Sequence, residues 1–241
     1  MKIKLPLLLI FMVLFSSLEG INAQDFWKKL DKNNVLIQEQ EIYQKENFPS
    51  KYELFSLDIA ALKNKLNSKS INSEKIILLP NSIGGFSKFR VKETSNLEDG
   101  LAEKFPMIKS YSAQGINDPS AVAKISLGTD GLHITVFSAK VSTFHINPYT
   151  KDNSRFIAYK REDLDHTTKD FKCQLEEKSG LNRQTENFNA RNANDGKLRT
   201  FRLAMVCTGE YAQFHLTKQG VAEAATDVVK KAAVLSAMNT S

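Results

Sequence analysis

Apolar and polar positions alternate most regularly between residues 107 and 160. The stretches 110–114, 121–127, 132–138, 142–147 and 156–160 are short, β-prone and separated by turn chemistry: Asn117-Asp118-Pro119, Gly128-Thr129-Asp130-Gly131 and Asn147-Pro148. Such punctuation predicts an antiparallel meander with one packed face and one wet face. Upstream, 52–58 alternates as a strand, and Asp58 is placed to cap a short helix over 59–66. An apolar run at 76–79 ends at Pro80, and a further strand is expected over 86–91 after Gly84-Gly85. Ser95 with Glu98 forms a weak capping box for a helix ending near Phe105. Residues 25–49 form a polar lead-in, in which Trp27, Val35, Leu36 and Ile37 suggest a short strand.

The pattern changes at Arg161. From there to Gly196 the chain is charged and amide-rich with hardly any apolar periodicity. This composition predicts a linker, and exposed polar linkers are where proteases cut. The stretch 201–207 (Phe-Arg-Leu-Ala-Met-Val-Cys) then carries enough apolar weight for a buried strand. A helical turn is expected over 209–214. From Val221 onward, Ala225, Val228, Val229, Ala232, Leu235 and Met238 recur near helical spacing. A strand followed by an amphipathic helix is half of an α/β unit. The expectation is therefore α+β: an antiparallel β-rich domain with short helices over 24–160, a linker at 161–197, and a βα unit from 198 whose domain continues past residue 241.

The first residues change the compartment. Lys2 and Lys4 precede an apolar run over 5–18, and small and polar residues follow up to Ala23. That layout predicts a secretory signal over 1–23, cleaved after Ala23. The run is shorter than the roughly 20 residues of a membrane span, so a secreted product without a stable membrane span is expected. The formal charge is +6, from 33 Lys and Arg against 27 Asp and Glu. The lysines are spread thinly, with no dense stripe interleaved with aromatics, which argues against nucleic acid as a partner. Two cysteines, Cys173 and Cys207, are too few to make the fold depend on disulfides.

Several blocks carry a resemblance. Leu198-Arg199-Thr200-Phe201-Arg202-Leu203-Ala204, Cys207-Thr208-Gly209-Glu210-Tyr211-Ala212 and Lys231-Ala232-Ala233-Val234-Leu235-Ser236-Ala237-Met238-Asn239 together resemble the start of the catalytic domain in secreted, reprolysin-like bacterial zinc metalloproteases. Tyr111-Ser112-Ala113-Gln114-Gly115-Ile116-Asn117-Asp118-Pro119 and Ile146-Asn147-Pro148-Tyr149-Thr150 look like the propeptide of the same proteins. The resemblance implies a metzincin-type α/β catalytic domain with endopeptidase activity on proteins or peptides. It also implies a propeptide partnered with its own catalytic domain, and a zinc ion held by a His-Glu-x-x-His helix and a third histidine. Paired histidines four apart lie on one helix face, and the open fourth position holds an activated water. No such motif occurs here: His133, His145, His166 and His215 are isolated. No catalytic or zinc-ligand residue is therefore assigned. A calcium site seen in animal relatives is doubtful, because Arg202 stands where a glutamate would be needed.

The remaining candidates are single residues. Cys173, in the linker, could hold the zinc of a latent precursor as a thiolate, against the plainer reading of an incidental or disulfide-bonded cysteine. Cys207 is expected as a small apolar residue in a buried strand. His133 and His145 are expected as solvated surface side chains, His215 in a core or cap, and Glu210 and Tyr211 in packing and capping. Activation cleavage is expected at Arg183, Arg191 or Lys197. Two readings compete with the precursor: a stand-alone propeptide-like inhibitor, and a secreted β-rich binding module.

Overall fold

The computed structural model describes residues 26–33, 37, 41–43, 48–68, 75–164 and 205–240. The strands are β1 (Trp27–Leu30), β2 (Glu53–Leu57), β3 (Lys75–Pro80), β4 (Phe86–Glu93), β5 (Lys109–Gly115), β6 (Val122–Gly128), β7 (Gly131–Phe137), β8 (Phe144–Pro148) and β9 (Arg155–Lys160). The helices are α1 (Ile59–Asn67), α2 (Asp99–Lys104), α3 (Gly209–Lys218) and α4 (Asp227–Thr240). Among the described residues all nine strands join one antiparallel sheet in the order β1-β2-β9-β8-β7-β6-β5-β4-β3. Its edges, β1 and β3, approach one another, so the sheet is nearly closed.

Alternation explains the closure. Tyr111 and Ala113 of β5, Ile125 and Leu127 of β6, Ile134 and Val136 of β7, Ile146 of β8 and Phe156 and Ala158 of β9 all point into one apolar cluster. Period-two side chains put every second residue on the same face, and a rolled sheet converts that face into an enclosed core. Trp27 of β1 packs edge-on to Phe156, with ring centroids 5.2 Å apart. Helix α1 adds Leu62 and Leu66 to the same core, and its first turn is held by Asp58, whose carboxylate accepts from the Ala61 amide at 2.9 Å. Each fully buried large apolar side chain contributes about 1.5–3 kcal/mol.

The meander follows the expected strands closely, and the lead-in differs from expectation. Its strand is Trp27–Leu30, earlier than Val35 to Ile37 suggested, and it forms one edge of the sheet. Ile37, Phe48 and Tyr52 then cover the outside of β2 and β9, packing with Tyr149 and Leu164 on Leu54, Ile157 and Tyr159. The outer surface there is apolar, which alternation alone did not distinguish from a wet face. The capping box is corrected too: α2 starts at Asp99 with Glu98 as its cap and no side-chain cap bond. The Ser95 hydroxyl instead accepts from the Leu97 amide at 3.3 Å, closing a local turn.

The larger corrections fall after the linker. Residues 205–208 are not a strand, and Val206 is 94% exposed. Among the described residues no strand pairs with them, so their apolar side chains have no sheet to enter. Residues 201–204 lie outside the described part. Helix α3 runs four residues further than the expected turn, from Gly209 to Lys218. Helix α4 begins at Asp227 rather than near Val221, because the Thr226 hydroxyl accepts from the Val229 amide at 3.4 Å. Its buried face is Ala232, Ala233, Ser236 and Ala237, whereas Val228 and Val229 are about half exposed. The helix is therefore not an orphan: its small residues lie against the sheet.

Candidate functional site

A row of polar side chains crosses the outside of the sheet near the β6–β7 turn. Ser110 of β5 faces Ser126 of β6 across the ladder, and Ser126 in turn faces His133 of β7. His133 Nδ1 lies 3.1 Å from Asn147 Oδ1, and Asn147 donates to the Tyr159 hydroxyl at 2.8 Å. These positions alternate with the core residues of the same strands, so they point outward. Such residues read as a wet face in sequence, yet Ser110 and Ser126 are buried.

What buries them is α4. The Asn239 side-chain amide sits between the two serines: Ser110 donates to its oxygen at 2.8 Å and its nitrogen donates to Ser126 at 2.6 Å. One turn earlier, the fully buried Ser236 hydroxyl donates to Asp130 Oδ1 at 2.5 Å and accepts from the Thr129 amide at 3.0 Å. Gln219, at the end of α3, accepts from the Thr129 hydroxyl at 2.8 Å and donates to the Ala233 carbonyl at 2.9 Å. Beside this seam, Ala232 and Leu235 pack on Phe105, Ile108 and Leu97.

Two glycines shape the contact. Thr129 and Asp130 are the two residues between Gly128 and Gly131, which pair across the hairpin. Gly131 has φ +110°, a region open to glycine and strained for other residues. Gly128 has a different role: a Cβ there would lie 1.8 Å from Ser236 Oγ and 2.9 Å from Ser236 Cβ. The helix can approach this closely only because position 128 lacks a side chain.

Asp130 is the charged hub. Its Oδ2 lies 3.2 Å from His133 Nε2. Burial raises the proton affinity of the carboxyl, but the His133 contact and the Ser236 hydroxyl outweigh it and hold Asp130 below its ordinary range. His133 is thus half-buried between Asp130 and Asn147, in place of the expected solvated position. Serine, histidine and aspartate meet here, but in the wrong order for nucleophilic catalysis. The carboxylate stands between the other two, and the Ser236 hydroxyl meets that carboxylate rather than the imidazole. A triad needs the imidazole on the nucleophile and the carboxylate behind it. The arrangement suits recognition, with buried polar groups matched across two surfaces.

The other candidates are dispersed. His145 bonds Thr135 at 3.1 Å within the sheet. The His215 ring lies tilted against Tyr211, centroids 4.3 Å apart, and the His215 carbonyl accepts from the Gln219 amide that closes α3. Glu210 and Tyr211 do lie at the start of α3, where the Thr208 hydroxyl accepts from the Tyr211 amide at 3.2 Å. Cys207 is a half-buried free thiol, not part of a strand. Cys173, Arg183, Arg191, Lys197, His166 and Arg202 lie outside the described residues. Among the described residues no three His, Cys, Asp or Glu side chains come together as a metal-holding group. No described helix is long and apolar enough to cross a membrane. The polar seam went unnoticed in sequence because Ser110, Ser126 and Asn239 are 16 to 129 residues apart and carry no local motif. No protein family, curated protein or solved structure matches the chain.

Proposed function

We propose that this chain is the N-terminal part of a secreted zinc metalloendopeptidase precursor of reprolysin-like type. In this reading residues 1–23 direct export and the rolled sheet is the propeptide domain. The segment 161–197 carries the activation cleavage at Arg183, Arg191 or Lys197, and residues from 198 open the catalytic domain. The propeptide assists folding of its own catalytic domain and keeps it latent towards protein substrates. One observation carries the reading beyond likeness. The block 231–239, which resembles catalytic-domain sequence, is hydrogen-bonded through Ser236 and Asn239 to the sheet that bears the propeptide-like block 111–119. A latency domain must grip the domain it restrains, and a seam of this kind supports that reading. In this reading the zinc site is encoded elsewhere in the precursor, and the expectation is that these 241 residues alone show no peptide hydrolysis.

The test starts from the gene. The reading frame beyond codon 241 should encode a His-Glu-x-x-His helix, and N-terminal sequencing of the secreted mature enzyme should place its start between residues 184 and 198. A frame without that motif, or a mature start inside β5–β9, contradicts the proposal. A second reading, a stand-alone propeptide-like inhibitor or β-rich binding module, is favoured by the docked state of α4, whose small residues are already covered. A genuine stop at codon 242, with inhibition of a separate protease by the purified chain, would support it.

A further inference from the structure

The contacts between the sheet and α3–α4 are selective in a way that simple proximity does not require. Among the described residues, the hydrogen bonds of the seam join residues 110–130 to residues 219–239, at sequence separations of 90 to 129. Three features each exclude a different wrong partner. Gly128 leaves the space that the Ser236 side chain fills, since a Cβ on the sheet side would collide with it. The Ser110 hydroxyl donates to the Asn239 side-chain oxygen and the Ser126 hydroxyl accepts from its nitrogen, a pairing that a side-chain amide satisfies and an alkyl group leaves unmade. The Asp130 carboxylate, flanked by His133, requires a donor from the helix, and Ser236 supplies it. Charged and titratable groups facing Asp130 come from each neighbouring element: His133 on β7, Tyr43 of the lead-in and His215 on α3.

We propose that this outer face of β5–β7 is a sequence-specific helix receptor. It reads a small hydroxyl residue against Gly128 and Asp130, and an amide one turn later against Ser110 and Ser126. Its occupant is the segment 209–240 of this chain, which the receptor retains after the intervening polypeptide is cut. The inference concerns the seam alone and stands whether or not the polypeptide continues into a protease. If the proposed function also holds, cutting the linker is insufficient for activation, and release of α4 from the receptor is a separate step.

The experiment uses the full chain with a sequence-specific protease site introduced between Arg183 and Arg191. After cutting, the two pieces are run on size exclusion at micromolar concentration, with Trp27 emission reporting the sheet, because Trp27 is the only tryptophan and is buried in the sheet core. The expected result is co-elution with unchanged Trp27 emission. Asn239→Leu, which lies on the helix and leaves the sheet untouched, and Gly128→Val should each weaken retention at least about tenfold. Val228→Ser, on the exposed side of the same helix, should leave retention intact. Separation of the pieces while Trp27 remains buried overturns the proposal, as does equal retention of the wild type and Asn239→Leu. Because no step involves catalysis, failure here is distinct from failure to find a zinc motif downstream.

Discussion

The rolled sheet and the helical pair α3–α4 are held by different forces. In the sheet, Phe55, Ile146, Phe156 and Ala158 are fully buried within one continuous apolar cluster. In the helical pair, α3 has no buried residue, Phe214 is 56% exposed, and α4 buries only three alanines and Ser236. Apolar area gives the sheet its stability, since the hydrophobic effect scales with area removed from water. The helices are positioned mainly by matched polar groups, which contribute modest net energy but penalise every mismatch. The contrast teaches that one region supplies stability and the other supplies selectivity. Opening of α3–α4 should therefore precede global unfolding.

The largest expected effect comes from the sheet. Phe156→Ala removes a fully buried ring that packs on Trp27 and should cost about 3–5 kcal/mol. In chemical denaturation, the Trp27 transition should shift to lower denaturant, and the helices should lose their docking surface with it. A change confined to α3–α4 would break the comparison.

Next come the seam residues. Ser236→Ala leaves the buried Asp130 carboxylate without its hydroxyl donor and should weaken helix docking by about 1–3 kcal/mol. Hydrogen exchange should then quicken in α4 and leave β5–β9 unchanged. Equal loss in both regions would show that they form a single cooperative unit.

How far the sequence revealed these regions follows from the same contrast. Strands β5 to β9 were legible because alternation, glycine turns and β-branched residues all pointed one way. The cap at Asp58 was legible for the same reason: its chemistry is local. The role of the lead-in was hidden, since Ile37 and Phe48 find their partners on β2 and β9 only in the closed sheet. On α4, Ala232 and Leu235 pack as the periodicity predicts, whereas Val228 and Val229 are half exposed, because periodicity selects large residues without regard to the space that the sheet leaves. At Gly128 that space is filled by the Ser236 side chain, and Ala233 and Ser236 lie inside. Serines on a strand face look solvated until a distant amide covers them.

Acidity offers a graded probe. Asp130 is held below its ordinary range in the docked state. Measured against the unfolded chain, its contribution to stability is therefore full above the usual carboxylate value of about 4 and is lost as pH falls through the lowered folded value. Because His133, on the same hairpin, is the main cause of the lowering, the denaturation midpoint followed by Trp27 emission should fall over that acid interval, and less so in His133→Ala. Asp118 gives an internal contrast: hydrogen bonds from Ser120 and Ser138 lower it to about 2. A carboxyl titration followed by NMR should find Asp118 still ionised after ordinary surface carboxyls have protonated.

The smallest effect is expected on the exposed side of α4. Val228→Ser should alter stability by no more than about 0.5 kcal/mol, as surface changes do. In a longer polypeptide whose next elements cover that side, the same change should cost more. Comparing the two by thermal melting sharpens the precursor proposal directly.

Site-resolved hydrogen exchange on the 241-residue chain, comparing the wild type with Gly128→Val, tests the two-force account most directly. Amides of 232–237 should be protected in the wild type, less strongly than those of β5–β9, and should lose that protection in the variant while the sheet keeps its own. Unprotected 232–237 amides in the wild type, or undiminished protection in Gly128→Val, would contradict it.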